Sequence, residues 1–433
     1  MGSMKKAVAI TGAAAMLLSM AACGGDDTAN KSGSSDGELS GEITFQTWNL
    51  KNDKYTPYFE DLIASYEEEH PGTKINWVDQ PSEGYEDKLS ADAAAGSLPD
   101  VIDMGPNAAY ILAKAGTLLN IAAEDPEAKD LYLENAWNGA TFKGEGLEEG
   151  TYGFPWYLNT GPTFYNKAAV EACGADPENL PTTYDDFFAL ADEIGKTCGD
   201  QGISMLAKLP NSENYGEYGV EMMNEDRTSY TFNSDKAVEF VEHYKSMYDT
   251  GALSKEALNA NWNGETDAFK EGTVMAMAGS LYSVGDFKEN APEVYENLIV
   301  TPRLANTSAN IFMEMLVVNS QTQNKALAID FAKYVTNKEN QVAFDKLANV
   351  FPSTVDSMDD PFFQPEGDDL ESEAMRISSA QIETGTLWVP PEFSEAQDTT
   401  NLREQVALAI QGKQTPQEAL DASVQFSDER LQQ

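Results

Sequence analysis

Apolar and polar positions alternate from Ile43 to Thr47 and stop at Trp48-Asn49, which predicts a first strand. Tyr58, Phe59, Leu62, Ile63 and Tyr66 then recur at helical spacing up to His70-Pro71-Gly72, predicting an amphipathic helix with one buried face. Lys74 to Val78 reads as a second strand, Leu89 to Ala95 as helix, and Val101 to Met104 as a buried third strand. Strand, helix, strand, helix, strand within about sixty residues is a parallel α/β unit.

Between Tyr152 and Lys167 the pattern changes. Six aromatics are interrupted by Gly153, Pro155, Gly161 and Pro162, which predicts a bent, extended segment and excludes a buried helix. Alternation along such a segment puts Tyr157 and Asn159 on one side and Trp156 on the other. Further on, a threonine in Leu180-Pro181-Thr182-Thr183 caps a helix running through Ile194, and Val238 to Met247 is amphipathic. Val274 to Met277 and Met315 to Val318 read as strands, and Leu327, Phe331, Tyr334 and Val335 form one helix face. The chain ends in a helical pair. Its second member starts with Thr415 at the N-cap, Pro416 behind it and Glu418 at the third helical position.

The N-terminus predicts processing. Lys5 and Lys6 precede an apolar stretch from Ala7 to Met20, too short to span a bilayer, so residues 1–22 are expected to be a signal peptide. Cys23 follows Ala21-Ala22, an arrangement similar to the lipobox of bacterial lipoproteins, with Met20 where such boxes more often carry Leu. Residues 23–40 are rich in Gly, Ser, Asp and Asn and are expected to form a flexible, lipid-anchored linker. Export places Cys173 and Cys198 in an oxidising compartment, where a pair is more often a disulfide than a metal site; two free thiols are the alternative.

The formal charge of −44 repels nucleic acid and anionic lipid, so neither is an expected partner and membrane contact is expected through the lipid only. Only two histidines, His70 and His243, are present and Gly-x-Ser-x-Gly is absent, which argues against triad hydrolysis. Neither zinc-type cysteine spacing nor a calcium loop of EF-hand spacing occurs, so no metal or other cofactor and no catalytic residue is expected.

The order of several segments resembles the extracellular solute-binding proteins of ABC sugar importers, the maltose- and oligosaccharide-binding group. These are the first strand ending at Trp48-Asn49, Ala95 to Val101, Tyr152 to Lys167, Leu180 to Tyr184, Phe269 to Gly272 with Gly279, the helix around Ala328 to Gln341, and Gly412 to Leu420. The resemblance implies an α/β fold of two lobes, periplasmic-binding-protein-like, with a ligand cleft between lobes joined by crossing hinge segments. The crossings would fall near 150, 301 and 350. Lobe one would then be 41–149 and 302–350, and lobe two 150–301 and 351–433.

A monomer on the extracellular face of the cytoplasmic membrane is expected, and the lipid anchor suits a Gram-positive bacterium, which has no outer membrane to retain the protein. The protein would capture a neutral oligosaccharide and deliver it to permease subunits with an ATPase behind them. A surface-anchored glycoside hydrolase, needing two carboxylates about the scissile bond, and an adhesion lipoprotein stay open as alternatives. Aromatic rings cover the C–H faces of sugars, while amides, carboxylates and hydroxyls meet the rim. The expected ligand contacts are therefore Trp48, Asn49, Asn107, Trp156, Tyr157, Asn159, Tyr215, Trp262, Asn263, Ser280, Tyr282, Glu314 and Trp388. Truncation of Trp156 to Ala is expected to weaken binding without unfolding the protein.

Overall fold

The sequential strands are β1 (Gly41–Trp48), β2 (Thr73–Gln80), β3 (Val101–Met104), β4 (Thr141–Gly144), β5 (Leu147–Thr151), β6 (Phe154–Asn159), β7 (Thr163–Asn166), β8 (Ala276–Ala278), β9 (Leu298–Thr301), β10 (Phe312–Val318) and β11 (Phe351–Pro352). They come from a computed structural model that describes residues 39–259 and 264–432. Cys23, Trp262 and Asn263 lie outside the described residues, so their expected roles stay expectations. Among the described residues no helix is long and apolar enough to cross a membrane.

A six-stranded sheet has the order β11-β6-β10-β3-β1-β2 and a three-stranded sheet the order β8-β7-β9, with β4 and β5 as a separate hairpin. The predicted α/β unit forms the parallel half of the large sheet, Phe45 pairing with Trp77 on one side and Val101 on the other. Helix Thr56–Glu69 buries Phe59, Leu62 and Tyr66 against it, as the spacing requires. β10 runs antiparallel to both β3 and β6. The N-terminal end of β10 therefore lies beside the C-terminal ends of β1, β3 and β6, and it is there that the chain leaves for the small sheet.

Two passages are short. Residues 160–162 join β6 to β7, and residues 302–311 join β9 back to β10. The third return follows β11 and reaches helix Leu370–Thr384, which lies on β9 and helix Leu281–Asn290. The boundaries expected near 150 and 350 are therefore corrected. The whole of β6 and β11 belongs to the large sheet, because both hydrogen-bond into it. Gly161 is required in the first passage, since a Cβ there would sit 1.8 Å from the Gly279 carbonyl oxygen.

The caps are as the sequence predicts. The Thr183 side chain accepts from the Asp186 backbone N–H, and Thr415 with Glu418 completes a capping box at the last long helix. Cys173 and Cys198 are joined in a disulfide with Cα atoms 5.6 Å apart, which fastens the end of helix Lys167–Ala172 to the end of helix Tyr184–Cys198.

The extended reading of 152–167 holds, but strict alternation fails at Trp156. Glu314 pairs with Tyr157 and Met315 with Pro155, leaving Trp156 as the extra residue of a β-bulge. Trp156 and Tyr157 both turn to Phe344, the first stacked at 5.0 Å and the second tilted at 5.6 Å. Ser353 and Gln341 satisfy the carbonyl of Pro155, at 2.8 and 3.1 Å. Trp156 is 0% exposed in a core with Phe45, Phe59 and Phe331, so it is a core residue and not a ligand contact. Trp156→Ala should then cost about 3–5 kcal/mol of stability, read as a lower midpoint in chemical denaturation. A variant unfolding at the wild-type midpoint would put Trp156 outside the core.

Candidate functional site

Two cavities of 670 and 480 Å³ share Asn211, Glu213 and Phe312 and form one cleft between the sheets. The larger is walled on one side by loops at the carboxyl ends of the parallel strands, where ligands of such sheets lie. Trp48 closes β1 with its ring 6.4 Å from that of Tyr85, and Met104 to Ala108 follow β3. Opposite stand Asn211 and Glu213 at the start of helix Ser212–Tyr218, with Leu387, Val389 and Glu395. Phe312 begins β10 between the two halves and is 48% exposed. An aromatic face left open in a cleft is the sequence-independent requirement for covering a sugar ring.

The smaller cavity has a mixed lining with several charged and amide side chains. Asn159 and Ser280 line it, Ser280 also capping helix Leu281–Asn290, together with Lys208, Glu265 and Arg303. Arg303 is buried and ion-paired with Glu217, and its Nη2 lies 3.5 Å from Glu213. Burial opposes the guanidinium charge, but Glu217 and Glu213 overcome it and raise its pKa. Lys208 lies 4.0 Å from Glu265; burial lowers the lysine and raises the carboxylate, each held back by the other.

Glu314 lines the larger cavity beside the bulge. Burial first, and then the Glu86 charge, push its carboxyl up to about 8, with a hydrogen bond from the Trp48 side chain acting against them. Asp103 on neighbouring β3 is fully buried, and burial and the nearness of Glu314 hold it well above the carboxylate range. Neither Asp103 oxygen nor Oε2 of Glu314 meets a hydrogen-bond partner.

The cleft therefore brings together Trp48, Asn107, Asn159, Ser280 and Glu314. The Asn107 amide already spans the lobes, donating to the carbonyls of Pro391 at 3.1 Å and Phe393 at 2.5 Å. Other expected contacts are not in it. Asn49 takes a left-handed backbone with φ 53° and accepts from the Ser82 N–H at 3.2 Å, so it shapes the loop instead. Tyr157 packs on Phe344 because of the bulge. Tyr215 is 0% exposed against Phe240, on the inner face of its helix. Tyr282 is 77% exposed but lines neither cavity. Trp388 lines a separate 520 Å³ cavity, its ring against Gly216 and its Nε1 donating to the Ser308 carbonyl at 2.9 Å.

Sequence reasoning missed Phe312, Tyr85, Glu213, Glu265, Lys208 and Arg303. Phe312 stands two residues before Glu314 at a strand start, a signal that could have been read. The others depend on contacts between segments far apart in the chain.

Glu314 also sets a pH dependence. Between its usual 4.5 and about 8 the unfolded chain releases a proton that the folded protein keeps, so this contribution to stability falls as pH rises. Glutamine cannot titrate, so Glu314→Gln should gain on the wild type by at least about 1 kcal/mol between pH 5 and pH 8. Denaturation at the two pH values checks this, and a constant difference between the proteins would contradict it.

Residues 61–369 match the family model for bacterial extracellular solute-binding proteins. The arabinooligosaccharide-binding protein of Halalkalibacterium halodurans is 23% identical over 421 residues, covering 90% of this chain and 91% of that protein. The galactooligosaccharide-binding protein of Bacillus subtilis is 23% identical over 445 residues, covering 95% and 94%. In fold, the cyclic alpha-maltosyl-1,6-maltose binding protein of Arthrobacter globiformis superposes with a TM-score of 0.72 at 17% identity, over 90% of this chain and 99% of that one. The family match spans most of the chain, and this protein belongs to the bacterial extracellular solute-binding proteins.

Proposed function

We propose that this protein is the substrate-binding component of an ABC importer, tethered by a lipid on Cys23, and that it captures an oligosaccharide in the cleft between its sheets. The carrying observation is the half-exposed Phe312 between the two cavities, with Trp48 and Tyr85 on one wall and Asn211 and Glu213 on the other. Rings of this kind cover the C–H faces of pyranose or furanose units, and the amides and carboxylates accept from their hydroxyls. Two adjoining cavities suit a ligand of at least two sugar units. The relatives named for arabino- and galactooligosaccharides support the same reading.

Bending at the ends of β6 and β10, where they meet residues 160–162 and 302–311, would close the lobes on the ligand, and the closed form would be the one that docks on the permease. Release to the permease needs the sugar intact. Calorimetric titration with a panel of oligosaccharides, followed by chromatography of the ligand, tests the reading. Saturable binding with unchanged sugar is expected; cleavage products, or no binding across the panel, would contradict it. Phe312→Ala should weaken the best ligand about tenfold, the scale of one aromatic contact with its buried area. Unchanged affinity would remove Phe312 from the site.

A further inference from the structure

The sequence leads to the expectation of a neutral sugar, yet the larger cavity is lined by more carboxylates than hydroxyls alone require. Its lining carries Glu86, Asp87, Glu213, Glu314 and Glu395 and, among the described residues, no Lys, Arg or His. Two of the five are partly answered elsewhere. Glu213 shares Arg303 at 3.5 Å, and Glu395 accepts from the Thr399 hydroxyl at 3.3 Å. Glu86, Asp87 and Glu314 enter no ion pair among the described residues.

A second observation is independent of this clustering. Directly behind Glu314, the fully buried Asp103 leaves both oxygens without a partner, and Oε2 of Glu314 is likewise cut off from water and unpartnered. Buried polar atoms are nearly always satisfied, and a pair of carboxylates is an unusual exception. Sugar hydroxyls would satisfy single acceptors but would leave Glu314 unable to ionise beside Asp103. A cation relieves both, because opposite charge is strongest where water is excluded.

We infer that Glu314, backed by Asp103, is the specificity-determining residue of the cleft and selects a sugar unit bearing a free, protonated amine. This rests on the oligosaccharide reading above and narrows its ligand class. The ammonium group sits against Glu314, and the ring lies between Trp48, Tyr85 and Phe312. The groups facing Glu314 from the neighbouring elements are Asp103, Glu86, Tyr85 and Tyr157, and none of them supplies a positive charge.

Without ligand, the carboxyl of Glu314 stays protonated up to about 8. The arriving ammonium takes over the role of that proton, which leaves to solvent. One cation is gained by the pocket and one proton is lost.

The full protein is titrated at pH 6.5 with a glucosamine disaccharide carrying free amines, its N-acetylated counterpart, a neutral glucose disaccharide and spermidine. Each titration is run in two buffers of different ionisation heat. The free-amine sugar is expected to bind at least tenfold more tightly than the other three and to release protons, read as a heat that differs between the buffers. Glu314→Gln, shown to be folded by circular dichroism, should bring the ratio of free-amine to N-acetylated affinity close to one.

Equal or tighter binding of the neutral or acetylated sugar, or no proton release, overturns the inference while the oligosaccharide reading stands. Tighter binding of spermidine overturns the sugar part of it. Failure of every sugar in this and the wider panel overturns the oligosaccharide reading as well.

Discussion

The ion pair between Arg303 and Glu217 anchors the passage at residues 302–311, to which the other short passage is in turn hydrogen-bonded. Glu217 also accepts from the Asn310 backbone N–H at 2.9 Å, while its own carbonyl takes the N–H of Asn306 at 2.8 Å. The Arg303 N–H donates to Gln381 at 2.7 Å, and Gln381 in turn donates to the Gly161 carbonyl at 3.2 Å. Thr160 closes the ring by donating to the Asn310 carbonyl at 2.8 Å. The Arg303 side chain thus ties residues 302–311 to helix Ser212–Tyr218, while Gln381 and Thr160 tie residues 160–162 to the same passage. Removing one partner of such a buried pair costs about 3–5 kcal/mol, because the other charge is left uncompensated. Residues 303–310 are thereby fastened to helix Ser212–Tyr218, and the ends of β6 and β10 lie just outside this contact. Those ends carry Asn159 and Phe312, which line the cleft.

The same geometry explains why the cleft is both aromatic and acidic. Strands β1 and β3 end there with Trp48 and Met104, and β10 begins there, so Glu314 comes alongside Asp103 without either choosing the other by local pattern. The bulge at Trp156 offsets β6 against β10 at that point. It also sends Trp156 and Tyr157 together into the core under Phe344, which takes two expected contacts away from the ligand.

Much of the fold was legible. The α/β unit at the start, the extended segment at 152–167 and the caps at Thr183 and Thr415 follow from periodicity and turn chemistry, which act within a few residues. The limits of the lobes were not, because β6 and β11 are claimed by the large sheet through pairing with residues far away in the chain. The site divides in the same way. The place of Trp48 at the cleft was readable because a strand end in a parallel sheet has a known outlook. Trp156 and Tyr215 were misread because an aromatic residue beside polar neighbours looks alike in a cleft and in a core, and only burial tells them apart. Arg303 and Glu217 gave no local sign, being 86 residues apart.

The central claim is that one ligand bridges both lobes across this cleft. Backbone hydrogen exchange, measured with and without a saturating oligosaccharide, tests it most directly. The account predicts slower exchange on both sides at once, at 82–87 and 104–108 in the first lobe and at 211–217 and 279–283 in the second. Protection confined to one lobe, or appearing away from these segments, would contradict it.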